Sequence, residues 1–257
     1  MIKFFRKIRQ NLLSERKTWK YLKYAIGEII LVVIGILIAL GINNWNSERI
    51  NNVKQKDYLI AIKSDLEKQI PIIKPLIKRC DSISNIGINI LNDYNVSQNF
   101  SLIDSLDKKL TVFFYAEKFP SISSTFDELK STGQINIIKN KSIRSKIISY
   151  YQNARDSYEA MNFITSDVVY AHIYPTLKSS IINLPEDFGI TTEIKEVPSK
   201  LKSAIKEKRT DSHSEIELFN TINMRIKAAL VNRSILLKSV DEAEQLLNAI
   251  NNELKHN

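Results

Sequence analysis

The side chains best suited to nucleophilic, acid–base or metal chemistry are few in this sequence and lie far apart. The three histidines are His172, His213 and His256, and the only cysteine is Cys80. No H-E-x-x-H, G-x-S-x-G or paired-cysteine motif occurs, and the six glycines cannot form a glycine-rich phosphate loop. We therefore predict no catalytic residue, no cofactor and no metal site. Cys80 and His172 are interpreted as side chains packed within helices.

An enzymatic alternative rests on an aromatic and acidic segment at residues 113–130. Aromatic side chains occur from Phe113 to Phe126. The charged residues that follow are Asp127, Glu128 and Lys130. Together these groups could line a cleft, although an aromatic layer of a hydrophobic core is the simpler interpretation. A cell-envelope enzyme with its site in this segment is the alternative function, and a cleft that joined the acids to His172 would favour it.

The positive charge of the chain is concentrated at its N-terminal end. The formal net charge is +9, which by itself would suit a nucleic-acid partner. Residues 1–23 hold eight basic residues against one acid, Glu15, and so carry +7 of that charge. Anionic lipid and membrane topology explain such a basic segment, so we expect no nucleic-acid partner.

A long apolar stretch dominates the first fifth of the chain. The fourteen residues from Ile29 to Ile42 include no polar side chain. Extended back to Tyr24, the stretch would span about 28 Å as a helix, close to the thickness of a bilayer core. Tyr24 and Trp45 flank it where amphipathic rings favour the two membrane interfaces. We therefore predict one transmembrane helix over residues 24–45.

The charges beside this helix predict its orientation. The basic segment 1–23 would stay in the cytoplasm as an amphipathic helix on anionic lipid, and residues 46–257 would lie across the membrane. The rival interpretation is a cleaved signal peptide, because Ala39-Leu40-Gly41 offers a small-x-small site. The long basic region and the full spanning length favour an uncleaved signal anchor.

Glu28, Gly35 and Ala39 define a possible contact face within the predicted membrane helix. Gly35 and Ala39 form a small-xxx-small pair that permits close approach of a second helix, and Glu28 lies seven residues before Gly35. A carboxylate inside a span is costly and therefore suggests a function. The alternative is that Glu28, about one turn from Tyr24, reaches headgroup water or the ammonium group of Lys23.

The last forty residues carry the most regular helical pattern. Ten of eleven positions that step by three and four are apolar, which predicts a helix packed in a bundle or coiled coil. These seam positions are Phe219, Ile222, Ile226, Ala229, Arg233, Leu236, Val240, Ala243, Leu247, Ile250 and Leu254. Arg233 would extend outward or meet an acid across an interface. Ser212 with Glu215, or Ser214 with Glu217, offers a capping box at the start of this helix.

Two other long helices follow from the same spacing. Residues 59–90 repeat apolar positions at three and four, and Pro71 and Pro75 are expected to kink or break that helix. A helix over residues 141–181 is predicted to begin after Asn140, whose side chain can cap it.

Shorter elements complete the predicted fold. Thr125 with Glu128 matches a capping box for a short helix that Gly133 would close, and another helix is expected at 199–208. The only candidate strand is at 189–194. We therefore predict an all-α fold, in which one N-terminal transmembrane helix precedes an elongated antiparallel helical bundle.

Several segments resemble a family of Gram-negative bacterial proteins. They are Ile2-Lys-Phe-Phe-Arg-Lys-Ile-Arg, Tyr24-Ala-Ile-Gly-Glu-Ile, Val33-Ile-Gly-Ile-Leu-Ile-Ala-Leu, Ile42-Asn-Asn-Trp-Asn and the stretch from Thr125 to Tyr151. Members are single-pass membrane proteins classed as a domain of unknown function. The resemblance implies an inner-membrane protein with residues 46–257 as its periplasmic domain, and it implies no activity.

The favoured function is a membrane-anchored periplasmic interaction or sensor-like module without catalytic activity. The seam and the missing catalytic motifs motivate it. Its expected partners are the lipid bilayer and either another protein or a second copy of the chain. A single cysteine excludes an internal disulfide, and crosslinking through Cys80 would test self-association.

Overall fold

The structure, a computed structural model, describes residues 18–182, Gly189 and residues 196–256 of the 257-residue chain. Helices hold 87% of the described residues, and no strand occurs among them. The predicted all-α fold is therefore confirmed. Most of the basic segment 1–23 and nearly all of the candidate strand 189–194 lie outside the described residues.

Long and short helices alternate along the described chain. The α-helices are α1 (Thr18–Ser97), α2 (Leu106–Thr111), α3 (Ser124–Ser131), α4 (Lys141–Phe163), α5 (Tyr174–Ser180), α6 (Ser199–Lys208) and α7 (Ser212–His256). Short 3₁₀ helices lie at Phe100–Leu102, Val112–Phe114 and Gln134–Ile137, and a π-helix, Ile164–Ile173, joins α4 to α5. The short helix expected at 199–208 is α6.

The chain divides into two compact units, Met1–Asp57 and Tyr58–Asn257. In the first unit the described residues belong to α1, and every side chain from Ile29 to Ile42 is exposed. Among the described residues, α1 is the one helix long and apolar enough to cross a membrane, judged by length and composition.

In the second unit, α7 runs antiparallel to α4 and to the part of α1 that begins at Tyr58. Contacting pairs advance along one helix as they recede along the other. Between α4 and α7 the pairs are Asn140, the cap of α4, with Glu253 and Asn153 with Glu242, and between α1 and α7 they are Lys74 with Glu244 and Tyr94 with Phe219. The buried apolar side chains of these helices form one hydrophobic core, to which α2 and α3 also contribute.

Pro71 and Pro75 lie inside α1, which continues through both, so the expectation of a break is wrong. Each proline removes a hydrogen bond to the carbonyl four residues earlier, at Glu67 and at Pro71. All three residues are exposed, so water can satisfy those carbonyls. The opposite face of the helix is held by buried apolar side chains, which keeps the helix in place across the prolines.

The helix predicted at 141–181 begins as expected but changes its winding. Asn140 Oδ1 accepts hydrogen bonds from the backbone N–H groups of Ser142 and Ile143, at 3.0 and 3.3 Å, so the predicted cap is confirmed. From Ile164 the chain is π-helical, and its wider turn places residues four apart on one face. The buried residues of this part are Met161, Thr165, Val169, Ile173 and Leu177.

This change of winding corrects the predicted role of His172. A regular α-helix would have placed His172 on the buried face, but the π-helical segment buries Ile173 and leaves His172 exposed. The expectation of a packed histidine is therefore wrong.

The start of α3 differs from its prediction. Ser123, not Thr125, is the N-cap residue, and Ser123 Oγ donates to Asp127 Oδ2 at 2.7 Å. Thr125 Oγ1 instead donates to Asp65 Oδ2 on α1 at 2.6 Å, which ties α3 to that helix. Gly133 follows α3 with a φ of 67°, the left-handed conformation that closes a helix, as predicted.

The start of α7 also differs. Asp211 Oδ2 accepts a hydrogen bond from the backbone N–H of Ser214 at 3.0 Å, so Asp211 caps the helix in place of Ser212 or Ser214. The bond to the charged carboxylate lowers the pKa of Asp211 below its ordinary value.

Candidate functional site

A cleft of about 460 Å³ opens in the second unit between α3, α4 and the loop that leads into α3. Its volume lies in the range typical of small-molecule sites. Its lining residues are Gln69, Ser121, Ile122, Ser123, Phe126, Asp127, Lys130, Ile135, Ile148, Tyr151, Gln152, Ala154, Arg155 and Tyr158. Apolar, aromatic and charged groups therefore meet on one concave surface.

Buried Gln69 fixes one side of this cleft. Its Nε2 donates to the backbone oxygen of Pro120 at 2.7 Å, and its Oε1 accepts from the Tyr150 hydroxyl at 2.8 Å. The side chain thus links α1, α4 and the loop that supplies Ser121 and Ile122 to the cleft. Burial raises the pKa of Tyr150, so its hydroxyl stays a neutral donor in this link.

Aromatic side chains form the wall on α3 and α4. The rings of Phe126 and Tyr151 stack with their centroids 4.5 Å apart and their planes 7° apart. The hydroxyl of Tyr151 is buried and has no hydrogen-bond partner among the described residues. Burial raises its pKa, and the carboxylates of Asp65 and Asp127 act in the same direction. This tyrosine therefore stays neutral near pH 7.

Charged groups occupy the rim. Asp127 already accepts the Ser123 hydroxyl, so part of its hydrogen-bonding capacity is used within α3. Two further lining residues, Lys130 and Arg155, are exposed cations. The Nε atom of Arg155 lies 3.8 Å from Oε1 of Glu159, which is also exposed. A screened pair of that length contributes little, so both cations can still bind an anion.

The residues chosen for the enzymatic alternative are divided by the fold. Phe126, Asp127 and Lys130 line the cleft, whereas Phe113 is buried in the core. Glu128 faces elsewhere and accepts a hydrogen bond from the Tyr58 hydroxyl at 2.9 Å. His172 does not line this cleft, so the connection between the acids and His172 that would have favoured the enzymatic alternative is not found among the described residues.

A buried ion pair holds the loop that follows α2. Arg225 of α7 is fully buried, and its Nη2 donates to the backbone oxygen of Tyr115 at 2.6 Å and to Glu117 Oε2 at 3.3 Å. Its Nε donates to the backbone oxygen of Phe113 at 3.3 Å, and Thr165 Oγ1 donates to that of Glu117 at 3.0 Å. Residues 113–117 are thereby fixed against α7 and the π-helix.

Sequence reasoning missed Arg225 because it lies off the predicted seam. The helix α7 buries a second stripe beside the seam, and that stripe contains polar groups. Its buried members are Leu218, Thr221, Arg225, Ala228, Asn232, Ser239 and Leu246. Their spacing of three, four and seven residues was visible in the sequence, but four of the seven side chains are polar, which hid the burial.

The predicted seam itself lies against the core along its whole length. Seven of its positions are buried: Ile222, Ile226, Ala229, Leu236, Val240, Ala243 and Ile250. The half-buried positions are Phe219, Arg233, Leu247 and Leu254. Arg233 pairs with Asp81 of α1, so of its two predicted arrangements the structure has the contact with an acid.

The predicted membrane residues all belong to the first unit. Tyr24, Trp45, Gly35 and Ala39 are exposed, and Glu28 is half-buried. A Cβ atom added at Gly35 would meet no atom within 4 Å, so that position is open to a neighbouring helix.

Cys80 is buried, as expected, beside the Arg225–Glu117 pair. Burial raises the pKa of its thiol to about 12, and the Glu117 carboxylate adds to that effect. The thiol is therefore unsuited to crosslinking. Among the described residues, no three His, Cys, Asp or Glu side chains are grouped so that they could hold a metal ion.

These features define an all-α protein with one apolar helix of membrane-spanning length and a helical unit that carries a concave cleft. The chain belongs to the family of unknown function DUF6090, whose model matches residues 28–174. The matched range includes the apolar stretch and every residue that lines the cleft. No curated protein and no solved structure gives a significant match. The predicted membership of a family of unknown function is thus confirmed.

Proposed function

We propose that this chain is a membrane-anchored binding module, with its helical unit in the periplasm and no catalytic activity of its own. The observation that carries the proposal is the stretch Ile29–Ile42, in which fourteen consecutive apolar residues are exposed. In water, each large apolar side chain left unburied forgoes about 1.5–3 kcal/mol. A lipid bilayer offers the burial that the first unit does not provide.

Charge asymmetry supports the proposed orientation. The basic residues of segment 1–23 would stay in the cytoplasm, as the positive-inside rule requires. Tyr24 and Trp45 would then lie at the two interfaces of the inner membrane, and residues 46–257 would lie in the periplasm. The family resemblance supports the same arrangement.

The cleft supports the binding role. It joins an aromatic wall to two cations. Hydrogen bonds of Gln69 link α1, α4 and the loop before α3, and Thr125 links α3 to α1, as expected of a largely preformed ligand site. Binding there would take place outside the membrane. We also retain the prediction that the module acts with a protein partner or a second copy of itself.

Membrane extraction and protease access test this proposal. The full-length protein should stay in membranes washed with alkaline carbonate, and its C-terminal part should be cut by protease added to spheroplasts. Its intact mass should include the N-terminal segment. Release by carbonate, protection from protease, or an intact mass that corresponds to a chain beginning at Ile42, after Gly41, would each contradict the signal anchor.

Self-association needs a probe other than Cys80, because that thiol is buried. A Cys80→Ala, Ala39→Cys variant places one thiol on the possible contact face of the membrane helix. Disulfide-linked dimers in intact membranes would support a second copy as partner. If this variant forms no disulfide-linked dimer, and if the protein is also monomeric in mild detergent extracts, the homo-oligomer hypothesis is rejected. A different protein then remains as the expected partner.

The enzymatic alternative keeps one specific observation in its favour, since Asp127 and Lys130 line the same cleft. If the chain is an enzyme, the wild type will convert a ligand that occupies the cleft. An Asp127→Asn variant will bind the same ligand without converting it. Mass spectrometry of the recovered ligand separates a binding module from an enzyme.

A further inference from the structure

The charges and walls of the cleft indicate which ligands fit it. We infer that the cleft binds a small organic anion that has an aromatic or aliphatic body, a class that the family match does not specify. The inference rests on the proposed binding function and adds the chemistry of the ligand. It assigns the apolar body to the aromatic wall and the anionic group to the rim.

The wall is an aromatic surface shared by two helices. Tyr151, Arg155 and Tyr158 are spaced by four and three residues, so they follow one face of α4. Phe126 of α3 stacks directly on Tyr151, and Ile122 and the other apolar lining residues complete the surface. A flat or aliphatic group gains contact here without leaving a polar atom unpaired.

The rim favours negative over positive ligands. Its charged lining residues are two cations, Lys130 and Arg155, and one carboxylate, Asp127. The carboxylate is partly satisfied by Ser123, while Arg155 has only a distant, exposed pair with Glu159. An arginine fork and an ammonium group can both donate to a carboxylate, sulfonate or phosphate oxygen. The rim therefore holds an unbalanced positive charge beside the aromatic wall.

Three probes that share a naphthalene body separate the contributions of charge and wall. They are 2-naphthalenesulfonate, the neutral 2-naphthol and the cationic 2-naphthylmethylammonium ion. Calorimetric titration would use the full chain in phosphatidylcholine nanodiscs, with empty nanodiscs subtracted. We expect the sulfonate to bind about ten-fold more tightly than the neutral probe, as for a charge-assisted hydrogen bond.

Variants assign the binding to this cleft. Arg155→Gln and Lys130→Gln should each weaken sulfonate binding about three-fold, because the two cations share the ten-fold preference, and should leave the neutral probe unchanged. Gln152→Trp, at an exposed lining position, should block all three probes by filling the cleft. Lys178→Gln removes an exposed cation of α5 that does not line the cleft, so it should change nothing. Circular dichroism melts confirm that each variant is folded.

The possible results distinguish two kinds of failure. If the neutral or cationic probe binds as tightly as the sulfonate, and Gln152→Trp blocks it, the anionic class is wrong and the binding cleft stands. If no probe binds the wild-type chain, or if Gln152→Trp blocks none, the cleft is not a binding site and the proposed binding function loses its support.

Discussion

Arg225 is the largest side chain that the described part of the chain buries completely. Its charge is compensated by Glu117, but Nη1 of Arg225 and Oε1 of Glu117 have no partner among the described residues. A buried ion pair with unpaired atoms is weak evidence for stability, because its desolvation offsets much of the attraction. Its effect here is to fix residues 113–117, which carry the chain toward the cleft.

Removing one partner of this pair should destabilise the fold strongly. We expect Arg225→Met to lower the free energy of unfolding by about 3–5 kcal/mol, because Glu117 is left as a buried, uncompensated charge. Urea unfolding of the full chain in detergent, followed by circular dichroism, measures the change. Arg233→Met is the matched control: its pair with Asp81 is about 40% exposed, so it should cost no more than about 1 kcal/mol.

The double variant Arg225→Met, Glu117→Met separates the cost of an unpaired buried charge from the loss of the hydrogen bonds that Arg225 donates. It removes both charges, so we expect it to recover most of the stability that Arg225→Met loses. If the double variant were as unstable as the single one, the hydrogen bonds to Phe113 and Tyr115 would be the main contribution of Arg225 and the ion pair a minor one.

Gly87 lies where α1 packs tightly against α7. A Cβ atom at this position would lie 2.5 Å from Ile226 Cγ1 and 3.2 Å from Phe113 Cζ. Gly→Ala in a helix usually gains about 1 kcal/mol, but overpacking of this kind costs about 1–3 kcal/mol. We expect Gly87→Ala to lower the free energy of unfolding measured with urea. Adding Ile226→Ala should relieve the clash, so the double variant should lose less stability than the sum of the two single variants.

Gly41→Ala is the control for Gly87→Ala, because a Cβ atom at Gly41 would meet nothing within 4 Å. It should leave the unfolding midpoint unchanged or raise it. A Gly87→Ala variant that matched this control would show that α1 and α7 can separate at this point without loss of packing.

At the scale of whole elements, Asp211 couples the start of α7 to pH. Its pKa is lowered in the folded state by the backbone N–H of Ser214, so its stabilisation is complete above its ordinary pKa and is lost as the pH falls through the folded value. At neutral pH, we expect Asp211→Ala to have a lower melting temperature than the wild type. Asp211→Asn keeps an acceptor for the cap and should melt between the two.

The pH profile distinguishes the charge from the cap. Between about pH 5 and about pH 2, the melting temperature of the wild type should fall toward that of Asp211→Asn, because only the wild-type residue becomes protonated. Parallel profiles for the two proteins over this range would contradict a charged cap.

The two buried stripes of α7 explain how one helix organises the second unit. A helix with a single seam packs against one neighbour, whereas α7 contacts α1 and α4 on adjoining faces. Two polar members of its second stripe have partners on other elements: the loop at 113–117 for Arg225 and Ser157 of α4 for Ser239. The π-helix fits this arrangement, since Thr165 reaches the same loop.

At the scale of the whole molecule, the exposed apolar stretch should decide where the protein is found. Arginines at Ile34 and Leu37 would each cost about 3 kcal/mol for insertion at the centre of a bilayer. We expect the Ile34→Arg, Leu37→Arg variant to appear in the carbonate-soluble fraction. The control carries the same charges at Leu230 and Leu237, two exposed positions of α7, and should stay in the membrane. Retention of both variants would contradict the lipid-facing role of this stretch.

The sequence determined the features that depend on neighbours within a few turns. The apolar stretch Ile29–Ile42, the spacing of the α7 seam, the Asn140 cap and the Gly133 stop were all readable, because each follows from helical period or from the chemistry of a few adjacent residues. Membership of a family of unknown function was also predicted from the sequence, and the family model matches residues 28–174.

Only the tertiary structure decided which polar groups are buried and which residues form the cleft. Gln69 and Arg155 are more than eighty positions apart, and Asp127 and Glu128, although adjacent, point to different partners. The burial of Arg225 and the exposure of His172 likewise depend on the loop and the π-helix packed beside them. Most buried polar side chains take their hydrogen bonds from other segments, and local sequence does not record which segments the fold brings there.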